Sequence, residues 1–386
     1  MRVLDFRAGG FGPESSIFVK RGRIRWIGSE DDRMLPPETT VIDAGGRFAI
    51  PGLFDMHVHE QDAHQQKRFL AYGVTSVRDL SGWLEWLGAL KDRSDSSSDP
   101  LPRYFISGDM FRGGYPIHPS LWLLIYDEDD ARHYVRLWKQ WGADFLKVYY
   151  PLSWTLQRVV AGEARRQGVP VVGHGSNGVA EIVKSVTLGY TSLEHSLTPT
   201  RAGDDVLQLL AAAGTRWDPT LSTRGHPLLL RDEPERLADA KLRAFTPEWA
   251  IRKARAGGSS MWALGEHEAR GRWVDLLASV KDAHERGVKL LIGTDRAWLA
   301  ASLHWELEYF VQAGLSPLEV LRIATREAAE AVGAEDELGT LDPGKLADLV
   351  LLDANPLENI KNTQTIWRVI KGGWMFDPEA MQPDRN

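Results

Sequence analysis

Residues 144–196 read DFLKVYYPLSWTLQRVVAGEARRQGVPVVGHGSNGVAEIVKSVTLGYTSLEHS. Three short apolar runs, DFLKVYY, PVVGHG and TSLEHS, are separated by LQRVVAGEARRQG and NGVAEIVKSVTLG, whose apolar residues recur at helical spacing. Strand alternating with helix in this way is the pattern of a parallel sheet with helical crossovers. Working outward, FAIPGLFDMHV, VTSVRDL and RYFISG precede this stretch, and TRWDPTL and KLLIGTD follow it, which makes eight candidate strands. Eight strand–helix units over roughly 290 residues predict an α/β fold, a (β/α)8 TIM-like barrel, with catalytic groups at the C-terminal ends of the strands. An open doubly wound sheet is the alternative, but no glycine-rich dinucleotide turn follows the first strand.

The ends of the chain read differently. SSIFVK, GRIRWIG and TTVIDAGG alternate with turns before residue 50, and ADLVLLD and TIWRVIKGGWMF return that texture after GTLDPGKL. Residues 1–50 and 340–386 are therefore expected to form one composite β-sandwich domain flanking a barrel of residues 51–339. The stretch of about 222–272 is too long for a simple connector and is expected to be a lid-like insertion over the barrel mouth.

The 386 residues carry 46 basic and 53 acidic side chains, a formal charge of −7. That balance argues against a broad basic face for nucleic acid or anionic lipid and favours a small-molecule substrate. With 43% hydrophobic and 26% charged residues the chain is ordinary globular material. It has no cysteine, so disulfides and thiolate chemistry are excluded, and any metal must be held by nitrogen and oxygen. MRVLDFRAGG lacks the pattern of a secretory signal, and no apolar run is long enough to cross a bilayer, so no membrane association and a cytoplasmic location are expected. A homo-oligomer is compatible with the sequence but not specified by it. Of the 15 tryptophans, several fall between Trp249 and Trp305, where they serve as core or as the lining of a pocket.

His57 and His59 end the first strand. Alternation puts residues i and i+2 on one side, so both imidazoles can face one metal while Val58 points away. His-x-His alone is weak: 11 histidines in 386 positions give about 0.3 such pairs by chance. Position strengthens it, because His174 ends strand five, His195 strand six and Asp295 strand eight. Four imidazoles and a carboxylate converging without other charges are economically explained by a divalent cation. Lys147, at the end of strand four, either points away, binds substrate or an acid, or is modified. Burial near cations favours its neutral amine, and reaction with carbon dioxide would give a carbamate able to bridge two metals.

At these residues the chain resembles the amidohydrolase superfamily, and more closely its imidazolonepropionase/prolidase-like binuclear metal-dependent branch. The resemblance rests on PGLFDMHVH, GVTSVRDLSG, GADFLKVYY, GHGSNGV, SLEHS, IGTD, SLHWELEYFVQAGLSPLEVLRIATREAAEAVG and LGTLDPGKLADLVLLDANPLENI, nearly the whole chain. It implies a metal-bearing barrel with a composite β-sandwich. Carried over by position, it assigns His57 and His59 to one metal, His174 and His195 to the other, carboxylated Lys147 to the bridge, and Asp295 to the first metal and to general-base catalysis. Two cations about 3.5–4 Å apart would hold hydroxide as nucleophile for an amide carbonyl. Zinc is the leading expectation, with cobalt and manganese also suited to the ligands.

The sequence departs from that branch at sites bearing on substrate. Gly113-Gly114-Tyr115 stands where Gly-Gly-His is common, and His174-Gly175-Ser176 where His-x-His is common. Tyr115 or His118 is a candidate for the missing donor, unless both are plain loop residues. Arg296 follows Asp295 where a small residue is usual, and can clamp a substrate carboxylate or pair with a lid acid. Tyr149 and His304 are further candidates for contact with substrate or with the ligands. The leading functional expectation is cleavage of an amide in a small peptide-like or N-acyl amino-acid substrate. Cyclic amides, lactones and organophosphate esters are the alternatives, followed by deamination of a nitrogen heterocycle and by a catalytically inactive barrel.

Overall fold

The computed structural model describes residues 1–29, 35–59, 66–96, 99–114, 122–175, 178–256, 265–295 and 299–382. The alternation of strands and helices is realised as a TIM-like barrel. Leu53–Val58, Val74–Asp79 and Arg103–Ile106 pair in parallel in chain order. Leu146–Val148, Val171–Gly173, Ser192–Glu194 and Arg216–Asp218 continue the order, again in parallel. The third strand comes in two pieces: after Arg103–Ile106 the chain breaks and resumes as Met110–Arg112, which pairs with the fourth strand through Phe111 and Val148. The Asp144 N–H donates to the Ile106 carbonyl at 2.8 Å across the same seam. The eighth strand is extended chain around Leu290. Leu291 N–H donates to the Trp217 carbonyl at 2.8 Å, and Met56 N–H to the Ile292 carbonyl at 2.9 Å, which joins the last strand to the first.

Side-chain alternation sorts each strand into an outer and an inner face. Leu146 and Val148 join the apolar layer that includes Val135 and Val160 of the surrounding helices, leaving Lys147 on the inner face. Leu193 belongs to that layer too, which turns Ser192 and Glu194 inward. Phe111 meets Trp138 of helix Glu128–Gln140 edge to face at 5.9 Å, so Arg112 faces the interior. The helices are set by local chemistry as well. Ser153 caps Trp154–Gln167 by accepting from the Leu156 N–H, and Gly168 ends that helix at φ 65°, a left-handed turn that costs glycine little.

The terminal segments form a six-stranded mixed sheet in the order Trp374–Phe376, Ile366–Lys371, Leu349–Leu352, Phe48–Pro51, Arg2–Asp5, Gly10–Glu14. A hairpin of Ser16–Lys20 and Arg23–Gly28 lies with it, and Val3, Ile24, Ala49, Leu349, Leu351 and Ile370 share one apolar cluster. FAIPGLFDMHV, read as one strand, is thus two. Phe48–Pro51 serves the terminal sheet and Leu53–Val58 the barrel. Gly52 between them passes so close to strand two that a Cβ would lie 2.0 Å from Thr75 Oγ1.

In the stretch of about 222–272, Leu228, Leu237, Leu242, Phe245 and Ile251 are part of the same core as the barrel helices. Of the tryptophans in question, Trp273 and Trp305 are buried while Trp249 is exposed. No helix among the described residues is long and apolar enough to cross a membrane.

Candidate active site

Strand ends bring His57, His59, His174, His195, Lys147 and Asp295 together. His57 Nε2 lies 3.3 Å from His59 Nε2 and 3.6 Å from Asp295 Oδ1, and His59 Nε2 lies 3.2 Å from the same oxygen. The His195 ring is 4.9 Å from that of His57 and 4.4 Å from that of His174. His195 Nδ1 is 4.0 Å from Asp295 Oδ2 and 2.8 Å from Thr220 Oγ1. His195, Thr220 and Asp295 all have left-handed backbones, at φ 68°, 43° and 48°. For residues other than glycine this conformation costs on the order of 1 kcal/mol or more each and is held only by tight surroundings. The Asp295 N–H donates to the His57 carbonyl and the His195 N–H to the Asp218 carbonyl, both at 2.7 Å, which fixes those turns.

Beneath this rim lies a buried polar layer. Glu194 accepts from Arg78 Nη2 at 2.9 and 2.8 Å, from Ser192 Oγ at 2.6 Å and from His57 Nδ1 at 3.1 Å. A carboxylate on Nδ1 makes that nitrogen the protonated one and leaves the His57 Nε2 lone pair toward the rim. Arg78 also donates from Nε to the Met56 carbonyl at 2.6 Å and from Nη1 to Ser192 Oγ at 3.0 Å. Asp55 accepts from Thr294 Oγ1 at 2.8 Å and from the Thr294 N–H at 2.9 Å, tying strand one to strand eight. At Gly293 a Cβ would meet Asp218 Oδ2 at 2.3 Å and the His57 backbone nitrogen at 2.5 Å, so only glycine lets the strands approach here.

Burial drives His57 and His174 well below the ordinary imidazole range and His195 down to about 4, so these rings are neutral and carry lone pairs. For His59, burial is outweighed by the hydrogen bond and charge of Asp295, which raise it. Burial opposes ionisation of Asp295, but the neighbouring His57, His59 and His195 outweigh it and hold its carboxyl far below the usual range. Burial brings the Lys147 amine down to about 8. Its Nζ is buried and has no hydrogen-bond partner among the described residues, and the same holds for Nδ1 of His59 and of His174.

These residues fit a divalent cation. A tetrahedral ion with bonds of about 2.0–2.2 Å sets its ligands about 3.3–3.6 Å apart, close to the spacings among His57 Nε2, His59 Nε2 and Asp295 Oδ1. His57, His195 and Asp295 also offer ligand atoms within 4.8 Å of one another, as do His57, Glu194 and Asp218. The second trio is already spoken for: Glu194 is held by Arg78, and Arg78 Nη2 is 3.7 Å from Asp218 Oδ2.

Of the candidate substrate residues, Tyr149 is at the site, its ring 4.2 Å from His174 and stacked on Tyr150 at 4.9 Å. His304 is a correction. It is fully buried, with Nδ1 2.8 Å from Thr363 Oγ1 and Nε2 3.0 Å from the Tyr72 carbonyl, so neither ring nitrogen is available to a substrate. It sits early in helix Ser302–Gln312, and the helix turns it against the core. Tyr115, His118 and Arg296 lie outside the described residues. Sequence reasoning missed Arg78, Glu194, Asp218 and Arg112. For Arg78, Glu194 and Asp218 the available signal was a charged residue within an apolar strand, and Arg112, in a strand piece of three residues, carried no such signal.

The amidohydrolase family model matches residues 152–375, from before helix Trp154–Gln167 to the last strand. Ochratoxinase of Aspergillus niger is 28% identical over 398 residues, covering 86% of this chain and 76% of that protein. Adenine deaminase 3 of Rhizobium meliloti is 24% identical over 378 residues, which is 92% of this chain and 55% of that protein, so the chain spans about half of it. A putative prolidase from Bifidobacterium longum has a similar solved structure, with a TM-score of 0.79 at 24% identity, covering 100% of this chain and 94% of that one. At that identity the structural likeness is one of fold. The family match spans more than half of the chain and includes His174, His195 and Asp295. The chain therefore belongs to the amidohydrolase family and is a hydrolase acting on carbon–nitrogen bonds.

Proposed function

We propose that this amidohydrolase is a binuclear metal-dependent enzyme that cleaves an amide in a small peptide-like or N-acyl amino-acid substrate with an apolar part. The observation that carries the reading is the set of three neutral imidazoles, His57, His174 and His195, with His59 and an ionised carboxylate, around Lys147, a buried amine with no partner among the described residues. In this reading His57, His59 and Asp295 would hold one ion and His174 and His195 the other, and Lys147, carboxylated, would supply oxygen ligands to both. The amine nitrogen forms the new bond to the carbon of carbon dioxide and releases one proton, which is why a lowered amine pKa matters. Zinc, cobalt and manganese all suit such ligands. When bound, the ions supply Lewis-acid polarisation of the scissile carbonyl and make water acidic enough to be a nucleophile near neutral pH.

The protein's own groups do the rest. Asp295, ionised and with a quarter of its side chain exposed, accepts the proton of the attacking water and returns it to the leaving nitrogen. Glu194 and Arg78 hold the His57 ring in one tautomer. Tyr149 and Tyr150 line the approach to His174 with aromatic surface. The likenesses to ochratoxinase and to a putative prolidase support an amide substrate.

The test is metal analysis of the purified protein together with a panel of dipeptides and N-acyl amino acids, run beside cyclic amides, lactones and a paraoxon-type ester. Two ions per chain and turnover within the first group are expected. Turnover confined to the second group overturns the substrate class, and one ion or none in the reconstituted, fully folded enzyme overturns the binuclear centre.

A further inference from the structure

Arg112 ends the second piece of strand three and faces the barrel interior, because its neighbour Phe111 packs outward on Trp138. It is only 7% exposed. Among the described residues, its buried Nε and Nη1 have no hydrogen-bond partner and its guanidinium forms no ion pair. The guanidinium carbon lies 4.0 Å from the Trp122 ring centroid and 5.8 Å from that of Tyr149. Trp122 and Tyr149 are themselves stacked, 5.8 Å apart at 26°. Stacking on a ring stabilises a cation but satisfies none of its N–H groups, which radiate in the guanidinium plane. A buried cation with unmet donors is costly, and the barrel tolerates it beside the candidate catalytic cluster.

The separation suits a substrate. Tyr149 lies 4.2 Å from His174, so no more than the Arg112–Tyr149 and Tyr149–His174 lengths together separate the guanidinium from that imidazole. A bidentate arginine–carboxylate pair places about 4 Å between the two carbons. From the carboxylate of an amino acid, Cα and the amide nitrogen add about 3.5 Å before the acyl carbon. An N-acylated amino acid held by its carboxylate thus brings its amide to the histidine cluster.

We propose that Arg112, stacked on Trp122 and Tyr149, is the binding residue for a substrate carboxylate, so that the enzyme acts on amides whose leaving amino acid has a free carboxylate. This rests on the amide-hydrolase reading above and names its substrate class further. Planarity selects the carboxylate, since two parallel N–H···O bonds use the in-plane edge that stacking leaves open.

The test uses the metal-loaded enzyme, N-acetyl-L-phenylalanine and its neutral carboxamide, with affinity measured by calorimetry and released acetate measured separately. Wild type is expected to bind the carboxylate more tightly than the carboxamide. Arg112→Gln is expected to lower carboxylate affinity about 30- to 1,000-fold, so that the preference collapses toward unity. Arg112→Lys, which keeps the charge but not the fork, recovers part of it. Arg112→Met is expected to unfold at a higher temperature than wild type, because it removes an unpaired buried cation. A purely structural arginine would lower that temperature and weaken both compounds alike. Equal affinity of wild type for the two compounds, no affinity for either, or parallel losses in Arg112→Gln overturns the assignment. Carboxylate binding that depends on Arg112 without hydrolysis of any amide would sink the hydrolytic reading and leave Arg112 standing. Hydrolysis without carboxylate preference would do the reverse.

Discussion

Glu194→Gln removes one charge from a fully buried network and leaves its shape nearly intact. In the native protein both Glu194 oxygens accept, from Arg78, Ser192 and His57. The amide keeps one acceptor and turns the other into a donor, which must face Arg78 Nη2, Ser192 Oγ or His57 Nδ1. Removing one partner of a buried ion pair costs about 3–5 kcal/mol. Asp218 offsets part of this. Its Oδ2 is 3.7 Å from Arg78 Nη2, and burial, followed by the charge of Glu194, holds its carboxyl well above the usual range. With Glu194 neutral, Asp218 ionises more readily and takes over some of the Arg78 charge, so the expected loss is about 2–4 kcal/mol. Denaturant unfolding of the metal-free protein, followed by tryptophan fluorescence, measures it without a bound ion masking the change. The double variant Arg78→Met with Glu194→Gln removes both charges and is expected to lose at least about 1.5 kcal/mol less than the sum of the single variants. Glu194→Gln within about 0.5 kcal/mol of wild type, or strict additivity in the cycle, would refute the pairing as the support of this layer.

Lys147→Ala is expected to leave fewer than two ions per chain by metal analysis, and retention of both would remove the bridge from the model. The ordinary value of 10.5 falls to about 8 when the amine is buried, so between these the unfolded chain holds a proton that the folded one lacks. Stability of the metal-free protein should therefore rise with pH through that window, and Lys147→Met should flatten the rise in a pH series of unfolding midpoints. Asp295→Asn is expected to lower kcat about 10²- to 10⁴-fold, and unchanged turnover would exclude it as the proton carrier. Gly293→Ala, which forces a Cβ onto His57 backbone and Asp218, is expected to cost about 3 kcal/mol and the activity with it. A stable, active alanine variant would show that the strands can part there.

What was legible in the sequence was what local order encodes. Lys147 stands out in sequence as a charge within an apolar strand, but its direction was settled only when Leu146 and Val148 proved to pack outward. Arg112 was hidden because strand three breaks after Ile106, and Met110–Arg112 is too short for a period of two to register. Arg78 and Glu194 stand 116 positions apart and become partners only when the barrel closes. His304 was misread for the opposite reason: closeness in sequence to a strand end suggested the mouth, whereas its helix carries it against Tyr72 and Thr363. The first strand was read as continuous because the apolar run continues through Gly52, although the hydrogen-bonding partners change there from Leu349–Leu352 to Val74–Asp79.

Backbone strain connects these elements. Among the described residues, four other than glycine are left-handed, and three of them, His195, Thr220 and Asp295, are at the rim, while Arg21 is in a hairpin turn. Asp295 and His195 belong to residue types enriched in this conformation, whereas β-branched Thr220 is a genuine outlier. Their turns persist because the strands on either side are bonded around a closed ring and cannot relax separately. The same closure buries Lys147, leaves Arg112 without an acid among the described residues, and makes Glu194 necessary to Arg78. Each of these features works against stability in the free protein, and each places a lone pair, an amine or a fork of N–H groups where a ligand would complete it. The energy that holds the rim comes from the apolar layer between strands and helices, which is why that layer was easy to read from sequence and the rim was not.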